Sequence, residues 1–94
     1  TAGANVFVHT ATAGNSGADR TIIDNALTND NPNAIIVVTP NNSAGGIVLN
    51  HPIGVYYCCG KWRIFNQDLA TMPVDAAFNV YVYTNRLYLP LVLR

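Results

Sequence analysis

Two short polar blocks, Asn50-His51-Pro52 and Asn66-Gln67-Asp68, gather the residue types best suited to chemistry in this chain of 94 residues. Their amides, one imidazole and one carboxylate can hydrogen-bond the hydroxyls of a sugar, and Tyr56 can offer the ring an apolar wall. That makes Asn50, His51, Asn66, Gln67, Asp68 and Tyr56 a candidate ligand site. The same groups suit an architectural role, with Asp68 accepting from His51 while the amides tie off loop backbone, because Asn and Asp bond nearby main chain readily at turns. The clasp is the first expectation and the ligand site its alternative.

Cys58 and Cys59, the only cysteines, stand next to each other just before Gly60. Zinc is disfavoured, since His9 and His51 are scattered and the ligand spacing of a zinc site is missing. Free or partly buried thiols are the first expectation. A disulfide between the two neighbours, which closes an eight-membered ring, and a bridge from an accessible tip to another chain are the alternatives. The block Asp24 to Asn33, "DNALTNDNPN", is rich in oxygen ligands but has neither the glutamate nor the spacing of an EF-hand, so turn chemistry is expected there. Ser16 and Ser43 lie in Gly/Asn-rich loops without a nucleophile-elbow context. Paired-carboxylate chemistry would have to draw on Asp19, Asp24 or Asp68 in a small domain without an evident cleft. The chain is therefore not expected to be an enzyme, and no catalytic residue, cofactor or metal is assigned.

Positioning these residues falls to strands. Capped, 3.6-periodic runs are missing, whereas "NVFVHT", "AIIVVT", "IGVYYC", "KWRIFN", "AFNVYVY" and "RLYLPLVL" are separated by Asn, Gly, Pro and Asp clusters. This pattern predicts one all-β domain over residues 1–94, an antiparallel sandwich or barrel of six strands with a seventh at "RTIID". A two-residue turn at Cys59 and Gly60 sets Tyr57 against Trp62 and Val55 against Ile64 on an inner face. Tyr56, Cys58, Lys61 and Arg63 then point outward, and the open end of the hairpin brings His51 to Asp68. In "FNVYVYTNRLYLPLVL" a turn around Thr84 to Arg86 makes an apolar hairpin over residues 78–93. Phe78, Val80 and Val82 join Leu87, Leu89, Leu91 and Leu93 on one side, and Tyr81, Tyr83, Tyr88 and Val92 lie on the other. Pro90 marks an edge or terminal strand. A hairpin apolar on both sides needs two covers: the domain's own second sheet, or a neighbouring subunit meeting Tyr81, Tyr83, Tyr88 and Val92.

Composition narrows the partners. Five Lys and Arg balance five Asp, glutamate is absent, and charged residues make up 11% against about 25% in an ordinary soluble domain. Phosphate binding needs a basic excess, so nucleic acid is an unfavoured partner. A neutral, charge-poor surface resists self-association weakly. No apolar run reaches the roughly 20 residues of a membrane helix, so membrane insertion is not expected. Scarce Lys and Glu beside abundant Asn, Thr and Gly point to a secreted, extracellular setting. The start at Thr1 fits loss of a leader and fits a shortened chain equally. "NNS" at 41 to 43 matches the glycosylation sequon, which matters only in a eukaryotic secretory route.

The blocks "NVFVHTATAGNSG", "NPNAIIVVTPN", "NHPIGVYY", "KWRIFNQD" and "MPVDAAFNVYV" together resemble a β-rich module of unknown function that recurs in secreted bacterial proteins. The resemblance covers most of residues 5 to 82, implies an extracellular β module and transfers no catalytic residue. The chain departs from it at the Cys-Cys tip and in the apolar tail beyond Val82. Two functions are therefore expected in competition. One is a secreted structural subunit packing against copies of itself in a filament, sheet or matrix through the C-terminal hairpin. The other is a carbohydrate-binding module using the His51 and Asp68 edge.

Overall fold

The computed structural model of the chain describes residues 4–43 and 47–83. Seven strands form in order: β1 (Ala4–Thr10), β2 (Ser16–Gly17), β3 (Arg20–Ile22), β4 (Ile35–Pro40), β5 (Ile53–Cys58), β6 (Lys61–Asn66) and β7 (Ala77–Tyr83). They make two antiparallel sheets, one ordered β1-β7-β4 and the other β2-β3-β6-β5. The fold is all-β, as the strand pattern predicts, with no helix among the described residues. The optional strand at "RTIID" forms as β3, while the two-residue β2 beside it has no apolar pattern to announce it.

β7 is the centre of the three-stranded sheet. Its β-branched and aromatic residues alternate, so Phe78, Val80 and Val82 turn inward and are fully buried, each large burial contributing about 1.5–3 kcal/mol. Phe7 of β1 and Val38 of β4 flank Val80 on the same face. Both ladder edges of β7 are taken by β1 and β4 over their shared length. The described part of the 78–93 hairpin thus has no free edge beside it; Tyr88, Val92 and the whole "RLYLPLVL" strand lie outside the described residues.

In the four-stranded sheet β6 is internal, between β3 and β5, and sends Ile64 into the core. Trp62, Val55 and Ile53 pack on the core from the same side. Trp62 also donates its indole N–H to the Asn31 carbonyl at 3.0 Å, and Asp30 N–H donates to the Gly60 carbonyl at 2.8 Å, so the hairpin tip is seated on the loop before β4.

A polar bridge joins the two sheets across the core. His9 of β1 lies 2.9 Å from the Thr21 hydroxyl of β3, and that hydroxyl donates to Asn15 Oδ1 at 3.0 Å. The threonine hydrogen being committed to Asn15, His9 Nε2 must carry the hydrogen that Thr21 accepts. Asn15 Oδ1 also accepts from Thr12 N–H and the Ser16 hydroxyl, and its Nδ2 donates to the Thr10 carbonyl. Buried polar groups must be paired, and this cluster pairs the ends of β1, β2 and β3 with one another.

Candidate functional site

The β5–β6 hairpin has the register expected of it. Tyr57 stands opposite Trp62, their rings edge to face at 5.6 Å, and Cys58 stands opposite Lys61. Cys59 and Gly60 both have positive φ, the signature of a two-residue primed turn. Between the free-thiol and bonded alternatives the structure is definite: Cys58 and Cys59 are joined to each other, and no free cysteine remains.

The open end brings some of the six candidate ligand residues together and sends others apart. His51 Nδ1 meets Asp68 Oδ2 at 2.6 Å, and Asp68 Oδ1 accepts the Ala70 N–H at 3.0 Å. The Ala70 N–H, then the His51 ring, hold the Asp68 carboxyl below its ordinary value. Gln67 N–H closes the hairpin on the Pro52 carbonyl. Asn66 instead faces inward, fully buried, and donates to the Ala70 carbonyl at 2.9 Å. Its register partner is Ile53 on the core side, so alternation puts it on the face opposite Tyr56. Asn50 is exposed beside His51. What assembles is a His51–Asp68 clasp over the hairpin's open end, with Tyr56 and Gln67 on a separate surface.

The oxygen-rich loop is likewise occupied by its own backbone. Asn25 Oδ1 accepts from Leu27 N–H, and Asp24 Oδ1 accepts from Asn29 Nδ2 at 2.8 Å and lies 3.6 Å from Lys61 Nζ. Ser16 is engaged in the Asn15 cluster.

Two surfaces remain for function. The outer face of the three-stranded sheet carries Tyr81 and Tyr83 as expected, and with them Val6, Val8, Ile35 and Val37, which the sequence pattern did not single out. The register aligns Val6, Tyr81 and Val37 in one row and sets Tyr83 between Ala4 and Ile35 in the next. Exposure runs from 42% at Tyr83 to 58% at Val6, high for residues of this kind on one contiguous face. The outer face of the four-stranded sheet carries Ile22, Arg63 and Tyr56 in one row, with Arg20, Phe65 and Gly54 in the next. Tyr56 and Phe65 stack edge to face at 5.4 Å.

Neither a curated protein nor a solved structure matches the chain. A family does: residues 1–82 match a domain of unknown function, DUF7452, and those residues include all five of the sequence blocks that carry the resemblance, the last of which ends at Val82. With the match spanning both sheets almost to the end of β7, the chain belongs to the DUF7452 family.

Proposed function

We propose that this chain is a self-associating extracellular β module whose copies meet through the outer face of the three-stranded sheet. The observation that carries this reading is the apolar face itself, built from Val6, Val8, Ile35, Val37 and Tyr83 on three adjacent strands. None of the outward positions of β1, β4 and β7 is charged, so the face suits an identical face, as a two-fold contact requires. The chain's zero net charge removes long-range repulsion between copies. A second copy is therefore the partner favoured. Three strands at about 4.8 Å and five residues at about 3.4 Å give roughly 250 Å² in plan. A stable pair takes about 800 Å² per partner, so contact through this face alone is weak and becomes consequential by repetition in an array. The bond between Cys58 and Cys59 fits an oxidising, secreted setting.

The carbohydrate reading of the His51 edge has less behind it. Asp68 already accepts from His51 and from Ala70 N–H, and Asn66 is turned into the core.

Sedimentation velocity from about 10 µM to about 1 mM tests the contact in the range expected of a face this small. The parent chain should show concentration-dependent association. Replacing Val6 and Val37 by Lys, both outward-facing, should give a folded monomer throughout. A parent that stays monomeric at the highest concentration, or a folded double variant that associates like it, overturns the proposal.

A further inference from the structure

We infer that the outer face of the four-stranded sheet is a second, separate binding surface, built to take an acidic sugar residue. The inference does not rest on self-association, which uses the other sheet.

Arg63 is its centre. On the internal strand β6 it stands between Ile22 of β3 and Tyr56 of β5, with Lys61 and Phe65 two residues away on the same face. Arg20 has Asp19 at 3.5 Å and Lys61 has Asp24 at 3.6 Å, but among the described residues Arg63 has no carboxylate within salt-bridge distance. Its Nε is buried without an acceptor. Among the described residues its two Nη groups make no hydrogen bond either, and they are not buried, so solvent, or a ligand, reaches Arg63 through them. A planar fork with unmet donors, fixed at the middle of a sheet, is the geometry that takes a carboxylate or sulfate in two parallel hydrogen bonds.

The surroundings suit a sugar ring. The Phe65 ring reaches over Gly54 of the edge strand because that residue has no side chain: a Cβ there would sit 2.8 Å from Phe65 Cε1 and 3.0 Å from Gln67 Nε2. The Tyr56 ring meets Phe65 edge-on, giving an apolar wall beside the guanidinium, and the Gln67 amide stands at the rim for a hydroxyl. All of Ile22, Tyr56, Arg63 and Phe65 are half-buried, presenting surface without being free to swing away. Charge decides the class of ligand. With Arg20 and Lys61 matched, the face offers one unmatched cation, which suits one anionic group on a ring and not the closely spaced phosphates of a nucleic acid.

The test is calorimetric titration with hexagalacturonate, whose anions are all carboxylates, κ-carrageenan hexasaccharide, whose anions are all sulfates, neutral cellohexaose and hexathymidylate. At least one acidic sugar should bind, more weakly as salt rises, and cellohexaose should bind at least about tenfold less tightly. Which acid binds identifies the anion. Arg63→Gln should cost about tenfold or more and Arg63→Lys less, since the lysine keeps the charge and loses the fork. Amide shift changes in the parent should centre on Tyr56, Arg63 and Phe65, a readout that does not depend on any variant folding. Failure of both acidic sugars to bind, equal binding of cellohexaose, tighter binding of hexathymidylate, or shift changes centred elsewhere would overturn the inference. So would unchanged affinity in a folded Arg63→Gln or Arg63→Lys chain.

Discussion

His9 shows how a single residue ties pH to stability. Burial between the sheets lowers its pKa from the ordinary 6.5, so the folded chain keeps it neutral where the unfolded chain takes up a proton. Its contribution is therefore complete above about pH 6.5 and is lost as pH falls toward the depressed value, at no more than about 1.4 kcal/mol per unit. NMR titration of the His9 ring should return a midpoint below 6.5, and a midpoint above it would contradict the burial argument. Asp68 acts lower on the scale. Its carboxyl is held below the usual value by Ala70 N–H and His51, so its stabilising effect is present above pH 3.8 and fades as the pH drops through the lowered value. Asp68→Ala should lower the melting temperature at neutral pH and leave acidic-sugar binding intact, because the clasp and Arg63 occupy different surfaces. Loss of sugar affinity in a folded Asp68→Ala chain would mean the two surfaces are one.

Among the elements, the β5–β6 hairpin is the most fully encoded. Gly60 has φ of 88°, and a Cβ there would come within 3.0 Å of the Asp30 carboxylate. Gly60→Ala should therefore destabilise by about 1–2 kcal/mol, measurable by urea unfolding, since an L side chain is strained at this φ. Alternation of Val55, Tyr57, Trp62 and Ile64 was sufficient to fix this hairpin's inner face, because the other side carries Lys61 and Arg63. β1 and β4 were harder to read. In "NVFVHT" two valines alternate with Phe7 and His9, and the latter pair goes inward because the phenylalanine fills the core and the histidine finds Thr21. "AIIVVT" is apolar on both sides, so nothing local tells Ile36 and Val38 from Ile35 and Val37. The exposed apolar face follows from that ambiguity and becomes visible only once β7 is known to lie between β1 and β4. Alternation with Trp62 and Ile64 is enough to turn Arg63 outward; its missing partner depends on where Asp19 and Asp24 end up, which strand pairing decides and spacing does not.

At the scale of the whole molecule, the two sheets turn a shared polar and apolar core inward and expose contrasting outer faces. The face of β1, β7 and β4 has no charged residue at its outward positions, whereas the face of β3, β6 and β5 has Arg20, Lys61 and Arg63. A copy packed on the first face leaves the second open, so association and sugar binding are expected to be independent: saturating acidic sugar should leave the sedimentation profile unchanged. The disulfide at the hairpin tip carries a further consequence. It joins neighbours in the chain, so it encloses no loop, and the entropy that a cross-link removes from an unfolded chain has no length on which to act. Dithiothreitol should accordingly shift the melting temperature by only about a few degrees, a change of under about 1 kcal/mol. What the bond does is occupy both sulfurs, leaving no thiol to be welded to a neighbouring molecule. Any assembly of these copies is thereby governed by mass action, and should dissolve on dilution instead of curing into a covalent polymer.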